Sequence, residues 1–534
     1  MKSFFLLLFT FCFSEGLFAQ NSYAIIPQPE KLIPISGSYT FQSNSTVTVI
    51  GSNTELTSVA QLLTDQLKAA FGLSLSVKTG KMKSTGIFFE QNNQLGEEAY
   101  QLLITPKKIA IQAKTGKGAF YALQSLFQLM PSQIFSVTTS NQKPTAFACQ
   151  IEDAPRFSYR GLMLDAGRHF YSVAFIKHYI DLMAVYKLNT FHWHLTEDQG
   201  WRIEIKKYPL LTSISSIRKE SMVGSYGDMK FDKTPYGGFY TQEDIKEVVA
   251  YATKKFVTII PEIEMPGHSQ ALLAAYPQLG CNPDKIYEVA TKWGVSEDVL
   301  CPREETFTFM QDVLSEVMNL FPGQYIHIGG DECPKKQWKE SRFCQDLIKK
   351  LKLKDEHELQ SYFIGRIDKF ITSKGKKMLG WDEILEGGLS PNAMVMSWRG
   401  TAGGIEAAKL NHDVVMSPNS FFYLDYYQAD PKTQPLAIGG NLPLSKCYSF
   451  EPDLPELTAQ EAKHIVGVQA NVWTEYIATP AYAEYMTFPR ALALAEIGWS
   501  PKRPKNYPEF LARVKSSKAT MDALKINYCN EDLK

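Results

Sequence analysis

The chain has 534 residues, of which 44% are hydrophobic and 12% aromatic, so it is too long for one ordinary domain and apolar enough for a large core. Lysine plus arginine and aspartate plus glutamate each number 56, which leaves a formal net charge of zero. This balance argues against a protein that binds nucleic acid through a basic face, and it gives no reason to expect a polyanionic substrate.

The first twenty residues, MKSFFLLLFTFCFSEGLFAQ, have the pattern of a secretory signal peptide. A short basic start precedes an apolar region from Phe4 to Phe13, and Ala19 is a small residue before the expected cleavage point. The apolar region is too short to cross a membrane as a helix. Phe11 is too large to precede a lipidated cysteine at Cys12. We therefore expect residues 1–19 to be removed and the protein to be exported, either to the periplasm or out of the cell.

Residues 20–150 predict a smaller α+β domain. Pro27, Pro29 and Pro34 stand among β-prone residues and indicate an edge strand or an extended arm, because proline cannot donate to a strand ladder. Three β-prone runs predict strands, and two stretches with apolar residues at helical spacing predict helices. The predicted strands are Thr46–Ile50, Gly86–Phe89 and Ile109–Ile111, and the predicted helices are Leu56–Phe71 and 116–130. The polar segment 141–155 predicts the end of this domain.

Residues 151–534 show another pattern, in which short apolar runs alternate with helical stretches. The eight runs cover residues 161–167, 189–195, 257–264, 325–332, 377–383, 393–400, 413–419 and 467–475. The helical stretches include residues 172–186, 241–255, 306–320 and 357–374. Alternation of this kind predicts parallel strands joined by crossover helices. The fold class is therefore α/β, a (β/α)8 TIM barrel preceded by the smaller α+β domain.

Chemically active residues gather just after the predicted strands, where a TIM barrel carries its active site. Most of these strand ends carry acids, and three carry tryptophan. The residues are Asp165, Arg168, His192, His194, Glu197, Asp198, Glu262, Glu264, His268, Asp331, Glu332, Trp381, Asp382, Glu383, Trp398, Arg399, Tyr423, Asp425, Trp473 and Glu475. Carboxylates that bind hydroxyls and move protons, beside indole rings that pack on apolar sugar faces, indicate a carbohydrate site.

The segment 325–334, YIHIGGDECP, places two adjacent carboxylates, Asp331 and Glu332, after an apolar run and two glycines. Buried unpaired charge is costly, so these acids either line a site or cap the helix that follows. Adjacent side chains of a strand point to opposite sides, so the two acids are poorly placed as an opposed acid and nucleophile unless the backbone turns between them. A second enzymic nucleophile would come from another strand end, such as Glu475 or Asp198.

Motifs along nearly the whole mature chain resemble those of glycoside hydrolase family 20, the β-N-acetylhexosaminidases. They occur in order, as IIPQP at 25–29, YRGLMLDAGRHF at 159–170, HWHLTEDQGWRIEI at 192–205, GGFYTQEDI at 237–245, PEIEMPGH at 261–268, HIGGDE at 327–332, GWDE at 380–383 and VWTE at 472–475. One departure is HWHLTED, where HLHLSDD is commoner in the family. Another is Cys333, directly after the acid pair.

The resemblance implies substrate-assisted catalysis, in which the 2-acetamido carbonyl of the substrate attacks its own anomeric carbon and forms an oxazolinium intermediate. Glu332 matches the general acid/base, Asp331 the residue that orients the acetamido N–H, and Tyr423 the donor to the acetamido oxygen. Arg160 matches the arginine that binds sugar hydroxyls, and Asp425 and Glu475 match residues that accept hydrogen bonds from hydroxyls. Trp381, Trp398 and Trp473 match the aromatic walls around the sugar. His268 and Asp198 match polar residues that support the acids.

From the resemblance we expect an exo-acting enzyme that removes terminal β-linked N-acetylglucosamine or N-acetylgalactosamine with retention. It implies a glycan as the partner. Together with the composition, it leads us to expect no cofactor, no metal, no nucleic acid and no membrane span. As the general acid, Glu332 is expected to have a pKa raised toward neutral by burial and by the charge of Asp331.

Two alternative functions remain open at this point. One is a metal-dependent hydrolase on the same barrel, with His192, His194 and Asp331 as ligands. The other is a non-catalytic sugar-binding protein that keeps the tryptophan walls, although a binder has no need of a proton donor. Arg160 could also form a structural ion pair with Asp165.

The cysteines give a weaker signal. Of the 8 in the chain, Cys12 lies in the predicted signal peptide, which leaves an odd number. Cys281 with Cys301 and Cys333 with Cys344 bracket short segments and are candidate disulfide pairs, although sequence alone does not fix connectivity. None stands in a CxxC motif, so the sequence predicts no structural zinc site.

Overall fold

The computed structural model describes residues 23–136 and 138–534. The predicted signal peptide, residues 1–19, lies outside the described residues and stays a prediction. Within the described residues, no helix combines the length and the apolar character needed to cross a membrane.

The chain forms two compact units. The first contains the residues up to Pro155 together with 506–525 and Leu533, and the second contains 156–505, 526–532 and Lys534. This division differs from the predicted one chiefly near the C-terminus, because the sequence pattern assigned the whole of 151–534 to the barrel.

The first unit is built on one seven-stranded mixed sheet. Its strands, in their order across the sheet, are Lys31–Thr40, Thr145–Asp153, Tyr100–Ile104, Lys108–Ala113, Gly86–Gln91, Thr46–Ile50 and Ser76–Gly80. The three strands predicted from β-prone runs are confirmed. The proline-bearing segment forms an edge strand, as predicted, and its pairing shifts register between Pro34 and Ser38.

Two helices of the first unit confirm the helical spacing of the sequence. Helix Thr54–Phe71 begins where the Asn53 side chain accepts the Leu56 N–H and ends at Gly72 in a left-handed conformation. Its buried residues recur every three or four positions, which forms one apolar face: Leu56, Val59, Ala60, Leu63, Thr64, Leu67 and Ala70. The other helices of this unit are Gly116–Gln128, Tyr507–Ser516 and Lys518–Ala523.

The second unit contains a closed barrel of eight parallel strands, which confirms the predicted fold. We number the barrel strands one to eight along the chain: Tyr159–Asp165, Thr190–His194, Thr258–Glu262, Tyr325–His327, Lys377–Trp381, Met394–Ser397, Val414–Met416 and Ile465–Val472. Each coincides with one predicted run. The barrel closes where Gly467 of the eighth strand pairs with Tyr159 of the first.

Helices connect the strands. Barrel strands one to four are each followed by a crossover helix, and these are Val173–Val185, Gln242–Lys254, Glu304–Leu320 and Glu356–Ser373. Ala402–Lys409 follows strand six and Arg490–Trp499 follows strand eight, whereas the described residues between strands five and six contain no α-helix. The other α-helices of this unit are Leu210–Ser213, Gln270–Ala275, Lys336–Glu340, Arg342–Leu351, Asn419–Phe422, Leu444–Ser449 and Pro480–Thr487. Short strand pairs project from the loop after the second barrel strand: Thr196–Glu197 with Gly200–Trp201, Ile217–Arg218 with Tyr236–Gly237, and Met222–Val223 with Lys230–Phe231.

The strand register places four ionisable residues at one level of the barrel. Asp165 pairs with His194, His194 with Glu262, and Glu262 with His327. All four side chains are buried. The carboxyl ends of four neighbouring strands therefore form a buried polar layer, and the loops that follow them carry the candidate site.

Candidate active site

The acid pair lies in a turn after the fourth barrel strand. Gly329, Gly330 and Glu332 have φ values of 67°, 89° and 44°, so the backbone leaves the extended conformation before and at the second acid. A side chain on Gly329 would come within 1.7 Å of the Glu264 carboxylate, so this position needs glycine. Because the backbone turns, both carboxylates approach one nitrogen, His268 Nε2, at 3.7 Å from Asp331 and 3.6 Å from Glu332.

The helix-cap interpretation of the acids is wrong. The next helix begins at Lys336 with Lys335 as its N-cap residue, and Ser341 caps the helix after it. Both acids precede these helices by several residues. They are therefore free to serve the site.

The two acids have different protonation properties. Asp331 is 8% exposed, and burial raises its pKa to about 7, helped by the charges of Glu262 and Glu332 and opposed by His268. The Glu332 side chain is 45% exposed, and its interaction with His268 lowers its pKa. The expectation of a raised pKa on Glu332 is therefore wrong for the free protein. The left-handed turn exposes Glu332 to solvent and leaves the burial penalty on its neighbour.

His268 links the acids to a second pair of carboxylates. Its Nδ1 lies 2.8 Å from Glu197 Oε1 and 3.6 Å from Asp198 Oδ2. Burial disfavours the imidazolium, but the charge of Glu197 and the contacts with Asp198 and Glu332 outweigh it and raise the pKa of His268. The structure thus brings both predicted support residues to the acids, and it adds Glu197, which the sequence interpretation had left without a role.

Arg168, not Arg160, is the arginine of the site. Arg168 follows the first barrel strand, and its guanidinium lies 3.1 Å from Glu197, 3.4 Å from Asp165 and 3.9 Å from Glu475. It also lies 5.1 Å from the centre of the Trp473 ring.

The substrate role predicted for Arg160 is wrong, because this residue is the second of its strand and lies at the opposite end of the barrel from the site. Its side chain is buried and donates to the carbonyls of Phe157 and Lys187 at 2.7 and 2.8 Å. The proposed Arg160–Asp165 ion pair is also wrong, because Asp165 lies at the other end of the same strand beside Arg168.

The predicted aromatic residues form a continuous wall. Ring centres are 5.7 Å apart for Trp381 and Trp473, 6.3 Å for Tyr423 and Trp473, and 5.8 Å for Trp398 and Tyr423, which are stacked at 17°. Trp381 donates its indole N–H to Glu262 at 2.8 Å, and Trp398 donates to Glu383 at 2.9 Å. Because both indoles are fixed by carboxylates, the wall presents pre-oriented aromatic surfaces.

Two further acids stand beyond this wall. Burial, and then the charge of Glu475, raise the pKa of Asp425, while burial raises the pKa of Glu475 against the opposing charge of Arg168. At the site, Asp331 Oδ1 and Asp425 Oδ1 are among the buried polar atoms that have no hydrogen-bond partner within the described residues. Such oxygens are costly unless a ligand satisfies them. They therefore mark where polar groups of a ligand would bind.

The ligand set suggested for a metal-dependent hydrolase does not converge. His192 Nε2 lies 2.9 Å from Glu262, and His194 lies 3.1 Å from Asp165 and 3.2 Å from Glu264, whereas Asp331 faces His268. Other buried groups of potential ligands occur in the described part of the chain, among them His192 with Glu262 and His327. In that group both imidazoles already face the Glu262 carboxylate, at 2.9 and 2.8 Å, which is the arrangement of a closed ion-pair network.

Comparison with known proteins assigns both units. The model of the glycosyl hydrolase family 20 catalytic domain matches residues 157–502, and the model of domain 2 of the same family matches residues 22–154. A curated beta-hexosaminidase of Porphyromonas gingivalis is 47% identical over 509 residues, which are 94% of this chain and 64% of that protein. The chain thus spans less than two thirds of the length of that relative.

Solved structures agree with this assignment. A GH20 exo beta-N-acetylglucosaminidase of Vibrio harveyi, in complex with N-acetylglucosamine, has a TM-score of 0.85 and 34% identity, with 96% of this chain and 79% of that chain covered. An N-acetyl-beta-hexosaminidase of Streptomyces plicatus has a TM-score of 0.83 and 30% identity, with 95% and 96% covered.

Proposed function

Because the chain belongs to glycosyl hydrolase family 20, we propose that it is an exo-acting β-N-acetylhexosaminidase. Its substrates are glycans or chitooligosaccharides with a terminal, non-reducing β-linked N-acetylglucosamine or N-acetylgalactosamine. The product keeps the β configuration. The curated relative is named a beta-hexosaminidase, and one solved neighbour binds N-acetylglucosamine, which supports this substrate class.

The observation that carries the proposal is the turn that brings Asp331 and Glu332 to the same side, against His268 Nε2. Two carboxylates arranged in this way do not flank a glycosidic bond as an acid and an opposed nucleophile. They suit a reaction in which the substrate supplies its own nucleophile, the acetamido oxygen. Glu332 then protonates the leaving oxygen, and Asp331 accepts the acetamido N–H and stabilises the positive charge of the oxazolinium.

In the free protein, burial raises the pKa of Asp331 while His268 lowers the pKa of Glu332, and we expect substrate binding to reverse this order. The productive form of the acid pair carries a single proton. The acetamido N–H favours ionised Asp331, and the leaving sugar covers exposed Glu332, which raises the pKa of that residue. The proton therefore resides on Glu332 in the complex, where the leaving group needs it.

The other residues bind the terminal sugar. Tyr423 donates a hydrogen bond to the acetamido oxygen, Arg168 donates to ring hydroxyls, and Asp425 and Glu475 accept hydrogen bonds from hydroxyls. Trp381, Trp398 and Trp473 enclose the apolar faces of the ring. We further propose that residues 1–19 are a cleaved signal peptide and that the enzyme acts outside the cytoplasm.

Hydrolysis of three chromogenic substrates tests the function. Wild type and Glu332→Gln are compared on the 4-nitrophenyl β-glycosides of N-acetylglucosamine, N-acetylgalactosamine and glucose. Cleavage of the acetamido sugars alone, lost in the variant, supports both the mechanism and the acid. Equal cleavage of the glucoside would overturn the acetamido nucleophile. Absence of turnover with retained sugar binding would instead support a non-catalytic binder.

A further inference from the structure

A third buried arginine, Arg490, lies outside the group of residues that form the candidate site. It is the first residue of helix Arg490–Trp499, and it is 1% exposed. A guanidinium carries five N–H donors, and each donor that is buried without a partner costs free energy. Arg490 pairs its donors with backbone carbonyls, so its role depends on where those carbonyls lie.

The carbonyls belong to two parts of the second unit. Nε and Nη2 of Arg490 donate to Met486 O, four residues earlier in the chain, at 3.2 and 2.6 Å. Nη2 also donates to Leu424 O at 2.6 Å, and Nη1 donates to Tyr426 O and Leu442 O, each at 3.0 Å. All five donors are used in this way. The guanidinium therefore joins the start of its helix to both ends of residues 423–442, which we call the Asp425 segment.

Two of these carbonyls flank Asp425. Leu424 O belongs to the peptide group directly before Asp425, and Tyr426 O follows one residue after it. Asp425 is 4% exposed, and its Oδ1 is one of the buried atoms without a hydrogen-bond partner in the described part of the chain. No protein donor therefore holds this oxygen, and its position depends on the backbone that carries it.

The rest of the Asp425 segment has other anchors. Tyr423 forms a bridge with Asn471 of the eighth barrel strand, and its ring stacks on Trp398. Tyr427 forms a bridge with Asn441, farther along the segment. Arg490 holds the residues between these two bridges. We therefore expect its loss to affect Asp425 more than Tyr423.

The charge of Arg490 also acts on Asp425. Burial raises the pKa of Asp425, and the charge of Glu475 raises it further, whereas the positive charges of Arg490 and Arg168 oppose this rise. An ionised Asp425 is the better acceptor for a sugar hydroxyl. Arg490 thus favours the form of the carboxylate that the site needs.

Two buried thiols, Cys447 and Cys529, also interact electrostatically with Arg490. Both are free, as are the four cysteines of the two candidate disulfide pairs, so neither pair is formed in this structure. Burial raises the pKa of Cys447 to about 12, which keeps this thiol neutral near pH 7. Among the carboxylates, Asp425 has the largest effect on the pKa of Arg490, which burial lowers.

We propose that Arg490 is a positioning residue that sets the Asp425 carboxylate for hydrogen bonding to the terminal sugar. Its meaning for catalysis rests on the proposed function. All donors of Arg490 are paired with the protein backbone, so it acts through Asp425 and not by contact with the substrate. A misplacement of about 1 Å at a group that orients the substrate can lower a rate by roughly 100-fold.

Arg160 shows that a buried arginine of this kind can also be purely structural. It too donates to backbone carbonyls, those of Phe157 and Lys187, but at the end of the barrel away from the site. Arg160→Lys is therefore the matched control for Arg490→Lys. Lysine keeps the charge but replaces a planar fork of five donors by three donors on one atom, so it cannot hold the same set of carbonyls.

Steady-state hydrolysis of 4-nitrophenyl N-acetyl-β-glucosaminide measures the effect. For Arg490→Lys we expect kcat/KM to fall by roughly tenfold or more, because the Asp425 carboxylate is no longer held in place. For Arg160→Lys we expect kcat/KM to stay nearly unchanged. An equal loss in both variants would assign Arg490 a general structural role and overturn the proposal.

A double-mutant cycle shows whether Arg490 acts through Asp425. In an Asp425→Asn background, Arg490→Lys should lower kcat/KM by less than roughly threefold, because the group that it positions is already altered. In a Tyr423→Phe background, Arg490→Lys should lower kcat/KM about as much as it does in wild type. A loss in the Asp425→Asn background as large as in wild type would overturn the proposal.

Hydrogen exchange distinguishes this proposal from the proposed function, since it needs neither turnover nor a ligand. In Arg490→Lys, the amides of residues 423–427 should exchange faster, while those of strand Ile465–Val472 stay protected. Unchanged exchange in residues 423–427 would overturn the positioning role, whatever the substrate is. Absence of turnover of acetamido sugars by wild type would instead contradict the proposed function alone. Arg490→Met fills similar space without a buried charge and replaces Arg490→Lys in all three measurements if that variant does not fold.

Discussion

One arginine lies near the start of the first barrel strand and another follows just after its end, and the two have different roles. Arg160 and Arg168 are both buried, and both guanidinium groups lie about 5 Å from the centre of a tryptophan ring, 4.9 Å for Trp499 and 5.1 Å for Trp473. Arg160 donates to backbone carbonyls, whereas Arg168 faces three carboxylates. Residue type and burial are the same, so position along the strand separates a structural role from a functional one.

The same contrast holds for the carboxylates at the site end. Asp331, Asp425 and Glu383 are buried there, and burial raises the pKa of each, to about 7 for Asp331 and about 8 for Glu383. Charged groups in this state cost stability in the free protein. Perturbed carboxylates that cluster at one end of a barrel are what a site for acid–base chemistry requires.

The largest effect is expected from Asp331→Asn. The variant removes the anion that stabilises the developing positive charge, so kcat should fall by roughly 100- to 1,000-fold. Steady-state hydrolysis of 4-nitrophenyl N-acetyl-β-glucosaminide measures it. Asp368→Asn is the matched control, because Asp368 is also buried but lies on a crossover helix. A loss of less than tenfold would contradict the role of Asp331.

The arginine comparison is tested by the same substitution at both ends. Arg168→Lys keeps the charge but loses the planar fork, so kcat/KM should fall by roughly 100-fold. Arg160→Lys should leave kcat/KM nearly unchanged and lower the free energy of unfolding by roughly 2 kcal/mol through lost hydrogen bonds to carbonyls. Enzyme kinetics and urea unfolding of both variants measure these values. A loss of activity confined to Arg160→Lys would reverse the comparison.

The barrel could be predicted because its strands and helices repeat a local pattern. Apolar runs of strand length and amphipathic stretches of helix length are visible in the sequence, and all eight barrel strands coincide with them. The assignment of Arg160 to the site was wrong because it followed the family motif and gave less weight to the position of the residue along its strand. The rule that active residues follow the strand ends already favoured Arg168, which stood among the strand-end residues.

The different pKa shifts of Asp331 and Glu332 could not be predicted from the sequence. It depends on φ at Glu332, which decides which carboxylate is buried and which is exposed. The role of Glu197 likewise depends on the position of its carboxylate, which contacts both Arg168 and His268. Distances between residues far apart in sequence determine both features, and no local pattern contains them.

A smaller effect is expected on stability as a function of pH. The pKa of Asp331 rises from an ordinary 3.8 to about 7 in the folded protein. Its contribution to stability is therefore fully present below about pH 4 and is lost as the pH rises to about 7. Asp331→Asn mimics the protonated form, so its stability relative to wild type should increase by about 4 kcal/mol between pH 4 and 8. Urea unfolding at both pH values measures the difference, and parallel curves would contradict the buried, protonated carboxyl.

The smallest effect is expected in a comparison of two tryptophans that each donate the indole N–H, one at the site and one in the core. Trp398 donates its indole N–H to Glu383 at the site end, and Trp338 donates to the Leu300 carbonyl in the packing around the short helices. In Trp398→Phe, the stacking on Tyr423 can persist while one hydrogen bond is lost, so KM should rise roughly fivefold with little change in stability. Trp338→Phe loses a bond of the same kind and should lower the melting temperature while KM stays constant. If both variants changed only stability, the aromatic wall would be part of the core and not a surface for sugar binding.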